Sequence, residues 1–114
     1  MNKVHIEKSM KECLLEAFKN NAIISSDGLG SAEFIHVYQH KAYYEDGGCL
    51  GNFDDALELL NSQEWTHTHK WFIIGYLTED EIRAISDMRS NPRVYDSFWF
   101  EHKLNEIIGM KWDM

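Results

Sequence analysis

The sequence predicts an α+β domain: a small, mostly antiparallel sheet of three to four strands with helices packed on one face. Two observations lead there. Stretches whose apolar residues recur every three to four positions are interleaved with short stretches that alternate or run continuously apolar. And 114 residues, 44% of them hydrophobic, suffice for one core and not for two. Residues 1–114 are therefore expected to form a single globular domain, too small for a full doubly wound sheet.

The expected order is α-β-β-β-α-β-α-α. Glu7 to Asn20 is a helix, because Met10, Cys13, Leu14, Ala17 and Phe18 fall on one face and Asn20–Asn21 stops it. Ala22 to Ser25 is a short apolar strand. Ser25 to Ser31 is a loop of Ser, Asp and Gly. Ala32 to Gln39 alternates, with Phe34, His36 and Tyr38 on one side. A turn at His40–Lys41 sends Ala42 to Asp46 back as a hairpin closed by Gly47–Gly48. Asn52 caps a helix to Ser62, with Asp54 and Asp55 at its positive end. Leu50 to Ala56 is similar to the strand-to-helix junction of small plant DNA-binding domains. The basic, base-reading strands of that family are missing here, and none of its function is carried over.

Lys70 to Leu77 is a strand buried on both faces. Thr78 to Glu81 is a capping box opening a helix to about Arg89. Asn91–Pro92 opens the last helix, broken near Asp96–Ser97 and ending at Gly109, with Val94, Phe98, Leu104, Ile107 and Ile108 inward. Tyr95, Phe98, Trp99 and Phe100 cannot all share one core face. Trp99 is expected to be left for another surface: a tail packing onto it, for which Met110, Trp112 and Met114 are available, a homodimer, or a partner; most of the others are expected to pack in the core.

Composition excludes several function classes. The longest apolar run, Trp71 to Leu77, is seven residues, where a membrane span needs about twenty. No apolar segment follows the start, and two cysteines, Cys13 and Cys49, suit a reduced, cytoplasmic protein. Nineteen acids against eleven bases give a net charge of −8. That disfavours direct nucleic-acid binding, which needs cations to displace phosphate counterions. Gly28–Leu29–Gly30 and Gly47–Gly48 stop short of any nucleotide-binding pattern, and no serine sits in a nucleophile elbow. No cofactor or metal is expected. His67 and His69 share one side of an extended segment, but a zinc site usually needs three or four close ligands; His36 and His40 have helical ligand spacing but fall on or at the end of a strand, and the acid pairs mostly sit in first helical turns.

The charge distribution says more than any motif. Lys41 and Lys70 bracket 28 residues without lysine or arginine, and that window carries −6 of the −8. Its acids are Glu45, Asp46, Asp54, Asp55, Glu58 and Glu64; its candidate anchors are Tyr43, Tyr44 and Trp65. Acids steer a basic partner in, and Tyr and Trp anchor interfaces. These nine residues are the expected partner-binding site. Immunity proteins against bacterial toxins and phage-encoded anti-defence proteins share this size, acidity and lack of motifs. The expectation is thus a small acidic inhibitor that occludes one basic protein: a toxin, nuclease or defence effector. One alternative is a structural or adaptor module that forms a homodimer through its C-terminal aromatics. Another is a metal-dependent enzyme with a site built from His36, His67, His69 and Glu45 or Asp46.

Overall fold

A computed structural model describes residues 2–30 and 33–109. The tail residues Met110, Trp112 and Met114, and Ala32 at the start of the expected alternating strand, lie outside the described residues. The elements are β1 (Asn2–Lys8), α1 (Met10–Asn20), β2 (Ala22–Ser26), β3 (Ile35–Tyr38), β4 (Lys41–Tyr44), β5 (Cys49–Gly51), α2 (Phe53–Asn61), α3 (Trp65–Thr68), β6 (Trp71–Tyr76), α4 (Glu79–Arg89), a 3-10 turn (Pro92–Tyr95) and α5 (Ser97–Ile108). The class is α+β, and every strand pairing is antiparallel, in the order β1-β6-β2-β3-β4-β5.

Two expectations are corrected. Among the described residues the sheet has six strands rather than three or four. β1 carries alternating polar residues and no apolar run, because an edge strand gains its pairing from the backbone and tolerates charge. β5 is three residues long. Both escape a search for hydrophobic pattern.

The second correction is that helices cover both faces. Along β2, Ala22 and Ile24 join the core under α1 and α2, while Ile23 joins the core under α4 and α5. Along β6, Trp71 and Ile73 face the first core and Ile74 the second. A strand apolar on both sides demands two covering layers, so the run at 71–76 already implied this. The first core holds Cys13, Leu14, Ala17 and Leu60; the second holds Ile85, Met88, Phe100, Leu104 and Ile108.

Local signals placed the helix ends. α1 begins at Met10, three residues later than expected, because Ser9 caps it: the Glu12 N–H donates to Ser9 Oγ at 3.1 Å. Asn52 caps α2 through the Asp55 N–H at 2.9 Å. The capping box of α4 is complete: the Glu81 N–H donates to Thr78 Oγ1 at 3.2 Å, and the Thr78 N–H to Glu81 Oε1 at 2.8 Å. Thr78→Ala is therefore expected to cost roughly 1 kcal/mol in urea unfolding. A loss below about 0.3 kcal/mol would show that the cap does not hold the helix.

The β3–β4 hairpin turns at Gln39 and His40, one residue earlier than expected, and both have positive φ (49° and 66°). That is the twist a two-residue hairpin turn requires. The last helical stretch breaks at Asp96, whose carboxylate caps α5 through the Phe98 and Trp99 N–H groups.

The cysteines differ as the sequence implies. Cys13 is fully buried in the α1 face, and burial pushes its thiol up to about 11, while Cys49 is exposed. A thiol reagent applied to the folded protein is expected to label Cys49 rapidly and Cys13 at the pace of unfolding. Equal labelling would mean α1 is not docked.

Candidate functional site

The hairpin register brings three carboxylates to one end of the sheet. Ile35 pairs with Tyr44 and His36 with Tyr43. Glu33 lies just before β3, and Glu45 and Asp46 lie in the turn that follows β4. These residues line a cavity of about 340 Å³ together with Tyr44, Gln63 and Trp65.

The walls are held firmly. Trp65 stacks on Trp71 at 5.8 Å between centroids, and its Nε1–H donates to Gln63 Oε1 at 2.8 Å. Thr66, buried in α3, donates to the Leu60 carbonyl at 2.6 Å and locks that short helix onto the end of α2. Gly28 lets its loop cross the indole: a Cβ there would stand 2.7 Å from Trp65 Cε3. Any larger residue at that point would have to displace the Trp65 wall.

Among the described residues no cation pairs with these carboxylates, whose hydrogen bonds come from backbone: the Gly30 N–H donates to Glu33 Oε2 and the Gly48 N–H to Asp46 Oδ1, each at 3.0 Å. Glu45 is 7% exposed and accepts the Phe34 N–H at 3.1 Å. Burial pushes its carboxyl up to about 7, and the nearby Asp46 and Glu33 charges add to that rise against the Phe34 hydrogen bond. Burial likewise raises the Tyr44 hydroxyl, helped by Glu45, Glu33 and Asp46. No ion pair among the described residues uses any acid of the 42–69 window. The cleft is therefore an open negative site, flanked by two aromatic rings, into which an ammonium or guanidinium fits chemically.

Of the nine expected residues, the structure brings Tyr44, Glu45, Asp46 and Trp65 together. Asp54, Asp55 and Glu58 stand exposed on α2, and Glu64 is exposed just before α3. Tyr43 lies elsewhere. Its side chain points to the α4–α5 face, with its ring 4.0 Å from the Arg89 guanidinium and 5.9 Å from the His36 ring. Sequence reasoning missed Glu33. Glu33 lies outside the 42–69 window, before the strand that pairs with β4, and no local signal in the sequence joins it to Glu45 and Asp46.

The histidines do not converge. His36 is fully buried on the α4–α5 side among Phe34, Tyr43 and Phe100. His67 lies in α3, with Nε2 2.9 Å from the Asn61 carbonyl, and His69 Nδ1 is 2.8 Å from the Trp65 carbonyl. His67 lies in a helical turn rather than the expected extended segment, while His69, just past α3, has extended backbone. Among the described residues no group of three or more His, Cys, Asp or Glu is placed to hold a metal ion.

The C-terminal aromatics are sorted by the phase of α5. Because that helix starts at Ser97, Phe100, Leu104 and Ile108 fall inward at four-residue steps. Phe98, expected inside, is 85% exposed, and Tyr95 is 95% exposed. Trp99, expected outside, is half-buried against the second core with Arg93 at 5.6 Å.

Fold and site together define an α+β protein with an antiparallel six-stranded sheet between two helical layers and an acidic cleft at one end. Among the described residues no helix is long and apolar enough to cross a membrane. No protein-family model matches the chain, and no curated protein or solved structure matches it.

Proposed function

We propose that this chain is an inhibitor that binds one basic protein and covers its working surface, in the manner of an immunity or anti-defence protein. The observation that carries this reading is the cation-free cleft of Glu33, Glu45 and Asp46 between Tyr44 and Trp65. A lysine or arginine of the target enters the cleft, stacks on the rings and is neutralised by the carboxylates. The exposed acids of α2 extend the negative field and draw in surfaces built to hold phosphate. Entry of the cation drives the Glu45 proton off, so complex formation near neutral pH releases protons.

The test is capture of a basic protein by the native chain, repeated with Trp65→Ala and with Asp46→Asn, followed by an activity assay of the captured protein. The reading requires capture to fall with both variants and the captured activity to be blocked by the native chain. Capture that ignores both substitutions sinks it.

The exposed rings of Tyr95 and Phe98 favour a second reading, a homodimer formed through the start of α5. Sedimentation would show a dimer that dissociates on Tyr95→Ser with Phe98→Ser. A native chain that sediments as a monomer at high concentration removes this reading.

A further inference from the structure

A second and larger cavity, about 810 Å³, lies on the other side of the sheet. It is bounded by the β3–β4 hairpin, the Gly47–Gly48 turn, the last turn of α4 and the start of α5. Arg89 lines it, held among three rings. Its guanidinium carbon is 4.0 Å from the Tyr43 centroid, 4.6 Å from Tyr38 and 4.9 Å from Phe100. Two of its nitrogens, Nε and Nη2, are buried without a hydrogen-bond partner. They form one edge of the guanidinium, the edge whose parallel N–H groups match the two oxygens of a carboxylate or phosphate.

No ion pair among the described residues includes Arg89. Asp46 stands on the rim, but its Oδ1 accepts the Gly48 N–H at 3.0 Å. Aromatic faces attract a cation, yet they supply no counter-charge and no acceptor for the orphaned edge. A half-buried charge left in this state is costly to the fold. An oxyanion in the cavity supplies the counter-charge, and it reaches the orphaned edge, which is closed to solvent as the side chain lies, once the guanidinium turns towards it. The remaining lining suits a small polar ligand: Ser86 and Ser97 offer hydroxyls, that of Ser90 donates to the Asp87 carbonyl at 2.7 Å, and Tyr95 presents an exposed ring at the rim. The volume lies within the usual range for small-molecule sites. A bare ion would leave most of it empty.

We propose that this cavity binds a small organic oxyanion, a carboxylate or phosphate monoester on a planar body, with Arg89 as its anchor and Tyr95 covering the body. The site has the opposite sign to the acidic cleft and, although Asp46 borders both, its anchor Arg89 lies on the opposite face, so it does not rest on the inhibitor reading.

Benzoate, phenyl phosphate and inorganic phosphate serve as probes, titrated into the full chain and followed by NMR. Saturable shifts at Arg89 and Tyr95 are expected with benzoate or phenyl phosphate, and the tighter of the two identifies the oxyanion. Inorganic phosphate, lacking the body, is expected to bind more weakly. Arg89→Met is expected to weaken binding about tenfold or more while leaving the thermal midpoint unchanged or higher, since a charge no longer has to be buried. Tyr95→Ala, at an exposed position, is expected to weaken binding without touching the fold. Trp65→Ala in the acidic cleft is expected to leave it intact. The proposal is overturned if neither aromatic probe gives saturable shifts at the cavity. It is equally overturned if Arg89→Met binds as the native chain does.

Discussion

His36→Leu is expected to leave the protein at least as stable near neutral pH and to remove a large part of its acid sensitivity. The imidazole is fully buried with both nitrogens lacking partners. Burial, helped by the neighbouring Arg89 charge, lowers its pKa from 6.5 to about 3. Between those values the unfolded chain takes up a proton that the folded chain refuses. Stability is thus complete above about 6.5 and falls as the pH drops towards about 3, by roughly 4–5 kcal/mol at the limit. Glu45 acts with the opposite sign. Its carboxyl is raised from 4.5 to about 7, so the folded chain holds the extra proton. Its share of stability is present below 4.5 and is lost as the pH rises through about 7, by roughly 3 kcal/mol. From about 4.5 to 6.5 the two slopes oppose each other. Urea unfolding across this range is expected to show a shallow native profile. His36→Leu should then become more stable as the pH falls, and Glu45→Gln more stable as it rises. Glutamine keeps the acceptor for the Phe34 N–H, so its effect reports charge rather than a lost hydrogen bond. Native and His36→Leu profiles that run parallel would disprove the neutral, acid-labile histidine.

Reversing Asp54, Glu58 and Glu64 to lysine is expected to slow association with the target tenfold or more at low salt. All three are exposed and make no ion pair among the described residues. Each reversal adds two charges, which takes the 42–69 window from −6 to 0. Glu45 is unsuited to this test, because a lysine there would be buried. High salt is expected to erase the difference, since the screening length falls to roughly 3 Å at 1 M. Trp65→Ala is expected to act on the other rate: release speeds up and depends little on salt. Stopped-flow association with the captured partner measures both. An unchanged low-salt on-rate after triple reversal refutes electrostatic steering by this face.

Much of the fold was legible wherever a local signal decides a local outcome. The Thr78–Glu81 cap, the Asn91–Pro92 start, the stop at Gly109 and the double-sided burial of β6 each rest on a few neighbouring residues. β1 was not legible, because its partner is β6, some 70 positions away, and no local pattern marks a mostly polar edge strand. The cleft was half legible. Alternation allowed only one of Tyr43 and Tyr44 to face the acids, but it could not choose between them. The choice follows from α4, which offers Arg89 to the Tyr43 side. His36 and Arg89 stayed hidden for a similar reason: an isolated histidine and an isolated arginine carry no spacing to read, and their setting comes from three separate elements.

The strand order also dictates when this chain can fold. β6 sits between β1 and β2 and pairs with both, yet it is made only after residue 70. During synthesis the first strand and the β2–β5 ribbon emerge with no strand to join them. Their facing edges stay open until the missing centre arrives. Loop-closure entropy for pairing residues 2–8 with 71–76 must then be met in one late step, a topology associated with slow folding. A ribosome-stalled chain ending before β6 is expected to lack the protease resistance of the native sheet. At a growth rate of 5–20 residues per second, the nascent chain is exposed in that state for several seconds, the interval in which chaperones would engage it.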